Sequence, residues 1–453
     1  MKLTTEHSTN NMELQDGSHI AVIGGGPAGS FFSYFALDFA QRFGLDIHLD
    51  IIEAKDFNKI GPAGCNHCGG IVSESLIQML SAEGIVLPSN VIRRGIESYT
   101  LHLEQGTHVI ETPLKEQRIA AMFRGFGPLG SSDSELLSFD NHLLDLCQKM
   151  GANIIIDRVT EAKRTEDGII LRTKNNQEKK YDLVVGAVGL NPNTLNLFKS
   201  ISPKFESPGT TKTYICEFEM PGEVIDEYFG NSMHVFLLNL PHIKFGALIP
   251  KGNYVTLVLL GSEISKDIVE NFMNSKAVKD CFPPDLDLNK VTTCHCFPKV
   301  NIRGARSAYA DRVILIGDSA SSKLYKNGIG AAYMTGKAAA KTVIFNGVSK
   351  KDFNKYYQPV CRELNLDNAL GKFIFMVTSV IQKSSYLKSS MLKTVNKEQR
   401  RMGQNRRMSA VLWDTFTGSA PYKDVFFRCL HPAFLASLGG SMVQVLFNKN
   451  STK

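Results

Sequence analysis

The chain has 453 residues, of which 43% are apolar and 21% are charged, so it can form two or three ordinary globular domains. Its formal net charge of +7 is small for this length and does not indicate nucleic-acid binding. Residues 1–17 are polar and are predicted to be a flexible lead, and no run of about eighteen strongly apolar residues predicts a membrane-spanning helix. Nine cysteines without a secretory signal indicate free thiols and a cytoplasmic location.

The first predicted unit is a strand, a glycine-rich turn and a helix. Residues 19–23 (HIAVI) are typical of a buried parallel strand, residues 24–29 read GGGPAG, and residues 30–43 favour a helix. A glycine permits the tight turn, a second lets the backbone approach a pyrophosphate, and a third lets the helix pack close. The next strand, residues 46–52, ends at Glu53, which can accept hydrogen bonds from ribose hydroxyls. The pattern predicts a dinucleotide site formed by Gly24, Gly26, Pro27, Ala28, Gly29 and Glu53.

A cysteine pair follows in the sequence GCNHCGG at 64–70. Cys65 and Cys68 can form a redox-active dithiol, or they can bind a metal together with Cys294, His295 and Cys296, although a CxC spacing is unusual for zinc. The favoured interpretation is a loop that lines the substrate pocket, so no metal site is predicted, and Cys65 and Cys68 remain catalytic candidates. The other cysteines are interpreted as small core or surface residues: Cys147, Cys216, Cys281, Cys361 and Cys429.

The middle of the chain favours an antiparallel sheet. Residues 211–220, 233–238, 242–250 and 254–260 alternate or run apolar, with glycine and proline between them. Such a sheet would enclose a substrate, and Phe236, Phe245 and Leu259 either line its pocket or pack in its core. A second GxGxxG pattern, at 125–130, lacks a following strand that ends in an acid. It is interpreted as a loop near the cofactor or substrate.

A second glycine-rich unit lies about three hundred residues after the first. The apolar strand 311–316 runs into Gly317-Asp318, and Gly328-Ile329-Gly330 begins a helix of small residues. Two anchors so far apart in the chain favour one long dinucleotide such as FAD over a nicotinamide cofactor alone. Tyr325, in the loop between them, is a third catalytic candidate.

After residue 343 the chain is predicted to be helical. The segment Lys383–Arg407 is densely basic, with Glu398 as its one acid. Beside apolar helices such a segment can bind an anionic membrane surface, or it can be a solvated helix face. Sparse aromatic residues there disfavour nucleic acid.

These motifs resemble the FAD-dependent oxidoreductases that include geranylgeranyl reductases and aromatic-ring hydroxylases. The shared segments are GGGPAG at 24–29, Glu53, SFDNHLLDLCQKMGANI at 138–154, YDLVVGAVG at 181–189 and LIGDSA with GIGAA at 315–332. FRGFGP at 123–128 is closest to the geranylgeranyl reductase-like branch. The resemblance implies that Arg124 belongs to the cofactor site, that Asp318 binds the ribitol chain, and that Gly328–Gly330 face the flavin ring.

The resemblance implies reduction of carbon–carbon double bonds in an isoprenoid or other hydrophobic substrate, with electrons from NAD(P)H or a ferredoxin-like protein. Two alternatives stay open: a flavin monooxygenase that hydroxylates an aromatic or lipid substrate, and a non-catalytic redox-sensing flavoprotein. The family usually has Asp-Gly where this chain has Val188-Gly189, which disfavours both the monooxygenase and direct reduction by NAD(P)H. It also usually has an arginine just before the 138–140 segment, where this chain has Leu136-Leu137.

The predicted fold class is α/β, or α+β overall. A Rossmann-like three-layer FAD-binding domain is expected from residues 18–80, 135–200 and 300–345. An antiparallel-sheet substrate domain is expected from 81–134 and 201–299, and a helical C-terminal region from 346–453.

Overall fold

The structure, a computed structural model, describes residues 12–65, 68–112, 116, 118–129, 136–400 and 406–450. Its strands are β1 (Ser18–Ile23), β2 (Ile47–Glu53), β3 (Ile71–Ser73), β4 (Ile92–Ile96), β5 (Ser98–Leu103), β6 (Gly106–Glu111), β7 (Ile119–Met122), β8 (Asn153–Ile156), β9 (Val159–Arg164), β10 (Ile169–Thr173), β11 (Glu178–Tyr181), β12 (Leu183–Gly186), β13 (Gly209–Lys212), β14 (Tyr214–Glu219), β15 (Ser232–Phe236), β16 (Ile243–Lys251), β17 (Tyr254–Gly261), β18 (Thr292–Cys296), β19 (Lys299–Arg303), β20 (Tyr309–Ala310) and β21 (Val313–Leu315). Its helices are α1 (Pro27–Phe43), α2 (Glu74–Ala82), α3 (Phe139–Lys149), α4 (Pro192–Ile201), α5 (Gly222–Tyr228), α6 (Lys266–Met273), α7 (Lys276–Lys279), α8 (Leu288–Val291), α9 (Gly328–Phe345), α10 (Lys350–Asp352), α11 (Gln358–Lys383), α12 (Ser385–Gln399), α13 (Arg407–Thr417), α14 (Tyr422–Cys429) and α15 (Pro432–Asn450).

A six-stranded sheet in the order β20-β21-β12-β1-β2-β8 forms the first domain, and only β20 runs antiparallel to its neighbour. Its central strands are apolar on both faces, as parallel strands covered by helices must be. One face packs against α1, α3 and α9, and the other packs against α4 and the three-stranded sheet β9–β11. The predicted Rossmann-like three-layer fold is confirmed.

A seven-stranded sheet in the order β18-β14-β17-β16-β15-β5-β6 forms the second domain. All its neighbours pair antiparallel except β5 and β15, which are parallel. Its side chains alternate between two hydrophobic clusters: Met233 and Val235 of β15 belong to one, and Phe236 belongs to the other. The predicted antiparallel sheet is therefore present, with one parallel pair that the sequence did not indicate.

The C-terminal part is helical, as predicted, and α11 to α15 contribute to the same hydrophobic cluster as Met233 and Val235. By length and composition, the continuous helical segment Lys350–Lys383 could cross a membrane. The sequence alone predicted no such helix. Only 28% of its most apolar window is buried, so much of its apolar surface is exposed.

The described end of the predicted N-terminal lead contacts the first domain. Leu14 is buried, and the carbonyl of Met12 accepts a hydrogen bond of 2.6 Å from the N–H of Val348. Residues 1–11 of that lead lie outside the described residues.

Candidate active site

The two glycine-rich turns meet at one cavity of about 710 Å³. Gly317 begins a short 3₁₀ turn, Gly317–Ser319, and an ideal Cβ placed on it would lie 2.6 Å from Cβ of Ala28. This cavity is lined by Gly24, Gly26, Pro27 and Ala28 of the first turn and by Asp318, Gly328 and Ile329 of the second unit. The fold therefore brings together two turns that are separated by almost three hundred residues.

The Gly24–Gly29 turn has the close backbone contacts that require glycine. Gly24 has φ +106° and donates its N–H to the carbonyl of Ile52 at 2.9 Å. A Cβ on Gly29 would lie 1.9 Å from the carbonyl oxygen of Gly24. Gly26 is the N-cap of α1 and brings no capping side chain, so the N-terminal N–H groups of this long helix remain available to an anion.

Glu53 lies at the end of β2 beside this turn. Its Oε2 accepts a hydrogen bond of 2.7 Å from the N–H of Gly25, and its Oε1 accepts one of 2.9 Å from the N–H of Lys55. Burial raises the pKa of Glu53, although both N–H groups oppose that shift. The carboxylate is thus fixed in the wall of the cavity, where its remaining lone pairs can accept from hydroxyl groups.

Arg124 contacts the turn from the end of β7. Its guanidinium forms a bidentate ion pair with the buried Asp140, with Nε–Oδ1 at 3.0 Å and Nη2–Oδ2 at 2.7 Å. A Cβ on Gly26 would lie 3.1 Å from Nη2. Burial alone would lower the pKa of Arg124, but the ion pair outweighs burial and raises it above its usual value. The arginine that the resemblance places just before residues 138–140 is absent, because positions 136 and 137 are leucines. Arg124 forms the ion pair with Asp140 instead.

The second turn is held by side chains from two other segments, Thr335 of α9 and Asn301 of β19. The N–H of Gly317 (φ +60°) donates to Oγ1 of Thr335 at 2.9 Å, and the carbonyl of Asp318 accepts from Nδ2 of Asn301 at 3.0 Å. Asn327 is the left-handed N-cap of α9, and its Oδ1 accepts from the N–H of Gly330 at 2.9 Å. The N–H of Gly330 is thus occupied by the cap of α9, while Gly328 and Ile329 line the cavity.

The part of the cavity wall that comes from the seven-stranded sheet is apolar. The seven-stranded sheet supplies side chains to it: Ile215, Met233, Phe245, Ala247, Ile249, Val258 and Leu260. Of the three aromatic and aliphatic residues weighed for this role, Phe245 lines the cavity, whereas Phe236 and Leu259 pack in the cluster on the opposite face. Tyr325 also lines the cavity, donates its hydroxyl to the carbonyl of Gly261 at 3.3 Å, and has its pKa raised by burial.

The cysteine pair borders a second, smaller pocket of about 60 Å³. Cys65, Cys68, Cys294 and Cys296 all line it, together with Gly125 and Gly127 of the second glycine pattern, and Cys68 also lines the large cavity. The positions Asn66, His67 and Gly130 lie outside the described residues.

Two of the thiols that line this smaller pocket are held in the neutral form. Burial raises the pKa of Cys294 to about 11 and that of Cys296 to about 12, so both keep their protons at neutral pH. Among the described residues, neither cysteine belongs to a group of three or more potential metal-ligand atoms that lie within 4.8 Å of one another.

Two buried lysines near the cavity were not found from the sequence. Lys326 lines the cavity and donates its ammonium to the carbonyls of Asp414 at 2.7 Å and Ala420 at 3.0 Å. Lys251 lies next to Gly70, which lines the cavity: a Cβ built on Gly70 would lie 2.9 Å from Nζ of Lys251. Burial lowers the pKa of both lysines, that of Lys326 to about 7. Their burial depends on distant segments, which no local pattern indicates.

No protein-family model matches the sequence, and no curated protein matches it either. Solved structures share the fold at low identity. A geranylgeranyl bacteriochlorophyll reductase-like protein from Thermoplasma acidophilum has a TM-score of 0.63 at 16% identity, over 94% of this chain and 100% of that chain. A halogenase in complex with FAD has a TM-score of 0.59 at 12% identity, over 97% and 93% of the two chains. A p-nitrophenol 4-monooxygenase from Pseudomonas putida has a TM-score of 0.56 at 11% identity, over 90% and 100%. The fold that the resemblance implied is therefore confirmed.

Proposed function

We propose that the chain binds FAD and is an FAD-dependent oxidoreductase. The observation that carries this proposal is the single cavity bordered by both glycine-rich turns. FAD fits the groups that line it, because a helix N-terminus can hold the pyrophosphate and two carboxylates, those of Glu53 and Asp318, can accept from hydroxyls at separate places. The glycines at 24 and 29 allow the backbone to pack closely, because neither carries a side chain.

The favoured reaction is reduction of a carbon–carbon double bond in an isoprenoid or other hydrophobic substrate. Bound reduced flavin supplies the hydride for such a reaction. The apolar part of the cavity wall, from the seven-stranded sheet, supports a hydrophobic substrate, and the fold is shared with a geranylgeranyl bacteriochlorophyll reductase-like protein. Tyr325 and Cys68 are the protic groups proposed to face the substrate, and Tyr325 keeps its hydroxyl proton at neutral pH because burial raises its pKa.

A monooxygenase is the second candidate, because the fold is also shared with p-nitrophenol 4-monooxygenase. Val188, which stands where an aspartate would favour that activity by the resemblance, lines the cavity. A redox-sensing flavoprotein without turnover is the third. The electron donor, NAD(P)H or a ferredoxin-like protein, and the cytoplasmic location stay part of the proposal.

Anaerobic reduction of the purified protein tests the proposal. We expect a yellow protein that dithionite bleaches, and we expect reoxidation by an isoprenoid alkene to yield the saturated product by mass spectrometry. Tyr325→Phe should slow this step and leave FAD binding unchanged. NADPH oxidation in air with a hydroxylated product would favour the monooxygenase instead. A colourless protein that takes up no added FAD would refute flavin binding itself.

We further propose that the C-terminal helices bind an anionic membrane surface, which suits a lipid substrate. Lys388 of the basic segment Lys383–Arg407 cannot contact lipid directly, because it is buried and ion-paired with Glu104. The one acid of the segment, Glu398, accepts hydrogen bonds from the N–H groups of Met408 and Ser409. Arg401 and the residues up to 405 lie outside the described residues. The support comes from apolar side chains of α11, α14, α15 and the turn between α14 and α15 that are 51–71% exposed: Leu366, Met376, Val380, Phe427, Leu430, Leu435, Val443 and Leu446.

A further inference from the structure

A buried group of two histidines and one cysteine lies away from the proposed FAD site. His102 is on β5, His234 is on the parallel neighbour β15, and Cys281 follows α7. His234 alternates along β15 with Met233, which lines the large cavity, so the group lies on the opposite face of the sheet. All three side chains are buried, with 4–7% exposure.

The three ligand atoms are arranged as ligands of one metal ion. Nε2 of His102 lies 3.1 Å from Nδ1 of His234, which lies 3.5 Å from Sγ of Cys281, and Sγ lies 3.7 Å from Nε2 of His102. Zinc binds histidine nitrogen at about 2.0–2.1 Å and cysteine sulfur at about 2.3 Å, so tetrahedral ligands stand roughly 3.3–3.6 Å apart. The observed triangle matches that spacing before any ion is added.

Neighbouring groups orient the two imidazoles. Oγ1 of Thr107 lies 3.1 Å from Nδ1 of His102 and can accept its proton, which leaves the lone pair of Nε2 facing the group. The ring of His102 stacks on Phe236 at 4.5 Å, and Phe229 packs against His234 at 4.9 Å. Burial lowers the pKa of His102 to about 4 and that of His234 to about 3, and it raises the pKa of Cys281 to about 12, so all three groups are neutral without an ion.

We propose that His102, His234 and Cys281 bind Zn²⁺, with a water molecule as the fourth ligand. Binding releases the thiol proton of Cys281 to solvent and leaves a thiolate on the ion. The ion would join two neighbouring strands to the segment after α7. The site lies on the face of the sheet away from the cavity, so it does not depend on the proposed FAD chemistry.

Metal analysis of the full-length protein tests this site. Protein expressed with added Zn²⁺ and then dialysed should hold about one zinc per chain by plasma mass spectrometry. Cys281→Ser and His234→Gln should lose it. Cys361→Ser is the matched control, because Cys361 and Cys281 are both 4% exposed, and it should keep the zinc. A chelator should lower the Tm of the wild type and leave that of Cys281→Ser unchanged.

Two further measurements keep the outcome decisive. Co²⁺ added to the chelator-treated wild type should give thiolate-to-metal absorption, which requires no variant to fold. The double variant Cys65→Ser/Cys68→Ser should retain zinc, since those thiols border a different pocket. Zinc that is lost in this double variant but kept in Cys281→Ser, or wild-type protein that takes up no zinc, would overturn the proposal and leave a hydrogen-bonded triad.

Discussion

Glu53 offers a ligand only part of its carboxylate, because each oxygen already accepts one backbone N–H. We expect Glu53→Gln to weaken FAD binding about tenfold, since a charge-assisted hydrogen bond to a ribose contributes roughly 1.5–3 kcal/mol and the amide replaces part of it. Titration of the apoprotein with FAD, followed by quenching of flavin fluorescence, measures the Kd.

Asp38→Asn is the control for this change, because it makes the same carboxyl-to-amide replacement on α1, away from the turn, where Asp38 pairs with Arg42. Its Kd should equal that of the wild type. Equal affinities for Glu53→Gln and the wild type would contradict a ribose-binding role for Glu53.

The residues that the sequence identified at this site act locally. Gly24, Gly29 and Glu53 belong to one strand–turn–helix–strand unit, so their spacing alone indicated their neighbours. Lys326 could not be identified in this way, because its carbonyl partners at Asp414 and Ala420 lie about ninety residues away. The triad of His102, His234 and Cys281 is equally invisible, since its members are 132 and 47 residues apart.

The start of α9 depends on contacts with the C-terminal helices. The loop before it contains Lys326, whose ammonium lies 4.0 Å from the centre of the Tyr422 ring on α14, and Asn327, whose Nδ2 donates to the carbonyl of Gly418. Asn327 has φ +50°, the left-handed conformation that asparagine adopts more readily than most residues. The C-terminal region therefore helps to position the second glycine-rich turn of the cavity.

Lys326 should make stability depend on pH. Burial, followed by the nearby Lys323, lowers its pKa from 10.5 to about 7 in the folded state. Between those values the unfolded chain binds more protons, so stability rises with pH from about 7 towards 10.5, while below pH 7 the cost of the buried charge is fully present. Each pH unit within this window contributes up to about 1.4 kcal/mol.

Urea unfolding at pH 7 and pH 9 measures this dependence in the same cofactor state. Lys326→Met should reduce the rise, whereas Lys341→Met, at an exposed lysine of α9, should preserve it. A wild type and a Lys326→Met variant with parallel pH profiles would show that Lys326 does not lose its proton in this range.

The predicted basic segment shows why an element's surroundings cannot be read from its composition. The sequence from 383 to 407 is rich in lysine and arginine, yet α12 buries seven of its side chains: Lys388, Ser390, Met391, Leu392, Thr394, Val395 and Glu398. The charge of Lys388 is satisfied by Glu104, from the turn between β5 and β6. Pairing across almost three hundred residues is a property of the tertiary fold.

Across the whole molecule, the cavity lies where the parallel sheet, the antiparallel sheet and the C-terminal helices meet. The parallel sheet provides both glycine-rich turns, the antiparallel sheet provides the apolar wall, and Phe416 and Thr417 of α13 close one side. The order of motifs predicted the first two contributions, because each belongs to a recognisable supersecondary unit. The third arises from packing between distant segments, and nothing in the local pattern of α13 indicates it.

Helices α11, α14 and α15 expose apolar side chains, and we expect this surface to bind anionic vesicles. Met376 and Val380 lie one turn apart on α11 and are 55% and 57% exposed. Met376→Asp/Val380→Asp should lower the fraction that sediments with phosphatidylserine vesicles at least about tenfold, because it removes two apolar contacts and adds two charges that anionic lipids repel. Val86→Asp, at a 64% exposed position between α2 and β4, outside the C-terminal helices, should bind like the wild type. Wild-type protein that stays in the supernatant with anionic vesicles would refute membrane binding, and equal sedimentation of the double variant would place the contact elsewhere on the surface.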